Sequence, residues 1–186
     1  LDPAVEPLLD VLKVIDNPSA LTPHMATQIL QGPLGRLDSM DLRRFGRHLR
    51  KLDGSAEQVA APSTHLIRDA LQDARDLLAT PTGEFGHTIE VISRLWTLIT
   101  QARSAMEQGA TPHQVLWQVW QGTDWPTRLE QQALSQGQGS RFAHRDLDAI
   151  CALFDLANRF VERGRGKDLT NSVSYTHLTL PTILLV

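Results

Sequence analysis

Between Arg36 and Lys51 the chain sets five arginines, a histidine and a lysine (Arg36, Arg43, Arg44, Arg47, His48, Arg50, Lys51) against two carboxylates, Asp38 and Asp41. If Leu42, Phe45 and Leu49 turn inward on a helix, Arg43, Arg47 and Lys51 recur at i, i+4 and i+8 on an outer face. That spacing can follow a phosphate backbone, where each neutralised phosphate adds sequence-independent, salt-sensitive affinity. The alternative is a solvated basic face, which surface helices commonly have.

Catalytic chemistry is not readable. Gly164-Arg165-Gly166-Lys167-Asp168 is a superficial match to a phosphate-binding loop. The motif G-x-x-x-x-G-K-[ST] needs a glycine where Val161 stands and a magnesium-binding Ser or Thr where Asp168 stands, so it is rejected. The seven histidines, among them His24, His65, His87 and His113, form no H-x-x-x-H pair and have no cysteine cluster nearby, which argues against zinc. His144-Arg145-Asp146 is expected at a helix start, where Asp146 favours the positive end of the dipole. Asp146 and Asp148 fall on different helix faces and make no paired acid and base. The segment is expected to be chemically inert, with no catalytic, cofactor-binding or metal-binding residue assigned.

Two further residue types invite a functional reading. Trp117 and Trp120 with Leu116 are expected in the core, because large aromatics dominate burial. A base-stacking platform needs exposed aromatics interleaved with basic residues, and here the neighbours are Gln114, Gln118 and Gln121, with Arg128 the nearest cation. Cys151 is the single cysteine, so it has no internal disulfide partner. Its place on the stripe of a long helix predicts a buried structural thiol rather than a nucleophile.

The elements that must position these residues are helical throughout. Val5, Leu8, Leu9, Leu12 and Ile15 give a first helix over Pro3–Ile15, ended by Asp16-Asn17-Pro18-Ser19. Thr22-Pro23 starts a second with a cap and a proline at its first position, running to about Gln31. Asp38 or Ser39 caps the basic third helix, whose Leu42, Phe45, Leu49 and Leu52 face inward, and Asp53-Gly54-Ser55 closes it. Ser63 caps a fourth through Leu78, with Leu66, Ile67, Ala70, Leu71, Ala74, Leu77 and Leu78 inward. Thr80-Pro81-Thr82-Gly83 is a loop. A long helix spans Glu84–Gln108, closed by Gly109, and Thr111-Pro112 opens the tryptophan helix with its turn Gly122-Thr123-Asp124. After a Gly/Gln/Ser link, Leu147, Ile150, Leu153, Phe154, Ala157 and Val161 form the stripe of a last helix. The expectation is an all-α, irregular bundle of about seven helices with an extended or disordered C-terminal tail.

Bulk properties agree with a folded domain. Of the 186 residues 41% are hydrophobic and 21% charged, values of a globular chain rather than a disordered one. A net charge of −3 neither suggests nor excludes nucleic acid, because a local patch outweighs the sum. No apolar run reaches the length of a membrane span, and no signal peptide is visible, so the expected location is cytoplasmic with no membrane partner.

Two segments carry a family resemblance. LWQVW-GTDW-RLEQQAL followed by AHRDLDAICALFDLANRFVE, and the earlier GPLGRLDSMDLRRFGRHLR, resemble actinobacterial UvrD/RecB-type superfamily 1 DNA helicases, of which the AdnA-like members also carry a nuclease domain. The resemblance covers roughly residues 1–171, is specific at Gly32–Arg50 and Trp117–Val161, and is weak over Ser55–Ser93. It implies the helical 2B subdomain, which touches the duplex ahead of the fork and swings relative to the motor. The parent would be an ATP-dependent 3′–5′ helicase of DNA repair or end processing, with its ATP and magnesium site outside these residues. Its partners would be DNA, the remaining helicase domains and a second helicase subunit. A stand-alone helical interaction or regulatory module is the alternative. Residues 172–186 read differently: SYTHLTLPT, nine consecutive residues, resembles a translated sequencing-library adapter. With Leu1 in place of a Met, the chain is expected to be an internal piece of a longer protein with a non-native tail.

Overall fold

The computed structural model describes residues 2–52, 62–78 and 83–162. Among these residues the architecture is all-α, with nine α-helices, one 3₁₀ turn and no strand. They are α1 (Glu6–Asp16), α2 (Pro23–Gln31), α3 (Ser39–Leu52), α4 (Ser63–Gln72), α5 (Arg75–Leu78), α6 (Gly86–Glu107), α7 (Pro112–Gln121), α8 (Trp125–Leu134) and α9 (Gln138–Glu162). The closing turn at Asp53-Gly54-Ser55, most of the Thr80–Gly83 loop, the side chain of Val161, the Gly164–Asp168 segment and the tail at 172–186 lie outside the described residues. No helix among the described residues is long and apolar enough to cross a membrane.

The chain divides into two compact units, Asn17–Leu98 and a second made of Leu1–Asp16 with Ile99–Val186. In the first, Asn17 Oδ1 accepts the Ser19 N–H to start the 3₁₀ turn Pro18–Ala20. Thr22 Oγ1 accepts the Met25 N–H and Pro23 takes the first helical position, so α2 begins with a side-chain cap and loses no helical hydrogen bond to its proline. Ile29, Leu30, Leu34, Leu42, Phe45, Ile67, Leu71, Ile92 and Leu95 form the core. Each such side chain contributes about 1.5–3 kcal/mol by burial.

Helix α4 packs against both α2 and α3. Its approach to α3 runs over Gly46, where an added Cβ would lie 2.9 Å from Ser63 Cβ and 3.0 Å from Ile67 Cδ1. Glycine in mid-helix costs about 1 kcal/mol of propensity relative to alanine, and here it lets the two backbones close up.

In the second unit α1 packs on α7, and α7 and α8 pack on α9. Arg103 of α6 donates to the carbonyls of Val14 (2.9 Å) and Ile15 (3.2 Å), supplying both hydrogen bonds and positive charge to the C-terminus of α1. Helix α6 ends as expected at Gly109, which takes φ 94°; the Gly109 N–H reaches Met106 O and the Ala110 N–H reaches Ala105 O. That is a Schellman closure, which calls for a residue in the left-handed region. Thr111 and Gln114 then form a reciprocal capping box for α7.

Several expectations are corrected. The helix expected from Ser63 through Leu78 breaks at Asp73-Ala74 into α4 and α5. Asp73 leaves the helix (φ −147°, ψ 103°) and its Oδ1 accepts the Arg75 N–H, restarting the chain as α5. Ser63 does not cap α4: Pro62 holds that position and offers no side-chain acceptor. Leu52 (65% exposed) and Leu78 (60%) end their helices in solvent, and Leu49 and Leu66 are half-buried. Helix α9 starts at Gln138, so His144-Arg145-Asp146 lies beyond its first turn and Asp146 gains little from the dipole.

Candidate nucleic-acid interface

Helix α3 is strongly two-sided. Leu42, Phe45 and Gly46 are buried, while Arg43, Arg44, Arg47, Arg50 and Lys51 are exposed. Phe45 and His48 both pack on Phe85, with centroids 5.6 Å and 4.8 Å apart, which fixes the rotation of the helix about its axis. Asp38 Oδ1 accepts the Met40 N–H at 2.6 Å and caps its start.

The five cations are not equivalent. Arg44 pairs with Glu84 and lies 3.8 Å from Asp41. Arg43 turns back along its own helix, Nε donating to Ser39 O (3.1 Å) and Nη2 to Ser39 Oγ (3.4 Å). Arg50 Nη2 donates to Ser63 Oγ at 2.6 Å, across to α4. Among the described residues, none of Arg43, Arg47, Arg50 and Lys51 forms an ion pair.

A cleft of about 280 Å³ lies between α2, α3 and α4. Arg43, Arg47 and Arg50 line it together with the hydroxyl residues Ser39, Ser63 and Thr64, and among the described residues no carboxylate lines it. Lys51 does not border it. At about 100° per residue, positions 43, 47 and 50 fall within an arc of about 60°, whereas 51 lies about 40° beyond 47 on the far side from 50. The structure thus brings Arg43 and Arg47 together as the helix spacing predicts, leaves Lys51 on the flank, and adds Arg50. The signal for Arg50 was present: an i, i+7 return lands closer to the starting position than i, i+8 does.

The second unit presents a different feature. Trp120 is buried (8% exposed), as expected, and packs edge to face at 5.2 Å on Trp125, which is buried as well. Trp117 is not: it is 46% exposed, with its ring 5.6 Å from that of Phe154. Cys151 is also exposed rather than buried. Both border an apolar cleft of about 500 Å³ with His113, Trp120, Ile150 and Phe154. Two turns of α9 are enough to explain the thiol: Ile150 and Leu153 are buried, and Cys151 sits one residue off that line, at the edge of the stripe.

Among the described residues no group of three or more His, Cys, Asp or Glu side chains is placed to hold a metal ion. No protein-family model matches the chain, and no curated protein matches it.

Proposed function

We propose that this chain is a 2B-like helical segment of a UvrD-type ATP-dependent DNA helicase, contributing duplex contact rather than ATP hydrolysis. The observation that carries the DNA contact is the cationic face of α3, where Arg43, Arg47, Arg50 and Lys51 stand exposed without carboxylate partners among the described residues. Such a face gains affinity by releasing counterions from phosphates and needs no base reading. The parent activity rests on the resemblance at Gly32–Arg50 and Trp117–Val161, and ATP, magnesium and the motor belong to that parent.

The decisive comparison is wild type against the triple variant Arg43→Glu/Arg47→Glu/Lys51→Glu, by fluorescence anisotropy at low salt on a duplex with a single-stranded tail. Wild type binds weakly and without sequence preference, and the log–log salt slope falls by about 0.9 for every phosphate that the variant no longer neutralises. The variant keeps its helical content, because Leu42 and Phe45 still carry the packing face. Equal affinities for the two proteins would reduce α3 to a solvated surface and remove the DNA reading.

A second reading, a helical protein-interaction module, is favoured by one observation: the apolar cleft that keeps Trp117 half in solvent beside Phe154 and Cys151. It gains if the chain binds no DNA while remaining folded.

A further inference from the structure

We propose that the cleft between α2, α3 and α4 is a seat for a single phosphate group, held by Arg43, Arg47 and Arg50 and by the first turn of α4. The duplex-contact reading assigns α3 an outer stripe; the seat is a concave site, and it rests on that reading only for whether the phosphate is a DNA diester or a free anion.

Three arginines line this concavity, and among the described residues no carboxylate does. A merely solvated basic face spreads its charges into water. Like charges gathered in one cleft repel, and a tetrahedral phosphate anion relieves that repulsion. The same helix does take acidic partners where they are in reach, since Arg44 pairs with Glu84 and faces Asp41. Two of the three arginines are also oriented before any ligand arrives. Ser39 fixes Arg43, and Ser63 fixes Arg50 through the 2.6 Å bond. A pre-set guanidinium fork loses less freedom on engaging phosphate oxygens.

Helix α4 supplies the remaining donors. It starts at Ser63 after Pro62, with no side-chain cap. Pro62 O accepts from the N–H groups of His65 and Leu66, not from those of Ser63 and Thr64. Ser63 and Thr64 both line the cleft, so their N–H and hydroxyl groups lie at the positive end of a ten-residue helix beside the three arginines.

The test follows the nitrogen-15 resonances of the full chain while inorganic phosphate replaces chloride at constant ionic strength. The amides of Ser63 and Thr64 and the Nε–H groups of Arg43, Arg47 and Arg50 shift saturably. Arg50→Gln weakens that binding about tenfold, the scale of one charge-assisted hydrogen bond, and Lys51→Gln changes it less than about twofold because an exposed flanking charge is screened. A second arm adds duplex DNA. If the same amides shift, the diester is the occupant; if phosphate binds and DNA does not, the seat stands and the duplex-contact reading falls. DNA binding that leaves Ser63, Thr64 and Arg50 unmoved overturns the seat and keeps the duplex contact. Absence of any saturable phosphate shift, or equal weakening by Arg50→Gln and Lys51→Gln, also overturns it.

Discussion

Two clefts border the α3–α4 pair, and they handle charge in opposite ways. One is cationic, with Arg43, Arg47 and Arg50 and, among the described residues, no carboxylate at its wall. The other, about 450 Å³, is walled by Asp69, Asp73 and Asp76 with leucines from both helices. Its acids are matched from close by in sequence: Arg68 bonds Asp69, and Arg75 bonds Asp73 and feels Asp76. The Arg75 side chain, followed by its own backbone N–H, holds the Asp73 carboxyl at about 2, against the usual 3.8. Proximity in sequence decides the difference. Asp69 and Asp73 lie one and two residues from the arginines that neutralise them, whereas no acid lies between Arg43 and Arg50, which share one face with Arg47 at i, i+4 and i+7. An unbalanced charge in a concave site is the better mark of a ligand.

The largest effect expected bears on the geometry that both clefts share. Gly46→Val drives a branched side chain into Ser63 and Ile67, and overpacking of this kind costs about 1–3 kcal/mol. Gly46→Ala sets a smaller clash against about 1 kcal/mol of helix propensity and lies near zero. Urea denaturation measures both. A valine variant as stable as wild type would mean that α3 and α4 separate freely and that neither cleft has a fixed width.

The contrast in charge is sharpened by exchanging its two sides. Arg47→Gln/Arg50→Gln lowers phosphate affinity by about tenfold or more. Asp69→Asn/Asp73→Asn leaves it within about twofold, because the acids it removes are already balanced by their own arginines. If the aspartate changes raised phosphate affinity strongly, the clefts would share one field and the comparison would fail.

The smallest effect concerns pH. A carboxyl whose value is lowered on folding adds stability that is present above 3.8 and fades as pH falls through about 2. Because Asp73 faces solvent, screening keeps the contribution small. Carbon-13 titration of its side chain is expected to give about 2 in wild type and a return toward 3.8 in Arg75→Ala. No change on removing Arg75 would break the local-balance account of the acidic cleft.

Much of this architecture is legible in the residues. Thr22-Pro23, Thr111-Pro112 and Gly109 mark helix ends whose physics is local, and each performs that role in the structure. The break at Asp73 is not legible by periodicity, because Leu71, Ala74 and Leu77 keep an apolar rhythm across it and no Gly or Pro announces it. The stop is instead a side-chain oxygen competing for a backbone N–H. In the candidate site, Arg43 and Arg47 follow from helix spacing alone. Arg50 falls on the same face at i, i+7, but its reach to Ser63 depends on α4 crossing at Gly46, a tertiary fact that no single helix encodes. Trp117 and Cys151 fail for a related reason: a stripe on a long helix has edges, and only the packed neighbours decide which edge is covered.

The four tryptophans are divided unevenly between the units. Trp117, Trp120 and Trp125 belong to the unit that contains α7 to α9, and Trp96 alone to the other. Intrinsic fluorescence from this chain is therefore dominated by one unit, with the two buried indoles emitting from an apolar setting and Trp117 from a watery one. Helical circular dichroism weights both units by their length instead. The protein thus has a natural two-channel readout, in which an optical signal that moves without the dichroic one is a local event around α7 and α9, and the reverse reports the arginine-bearing half.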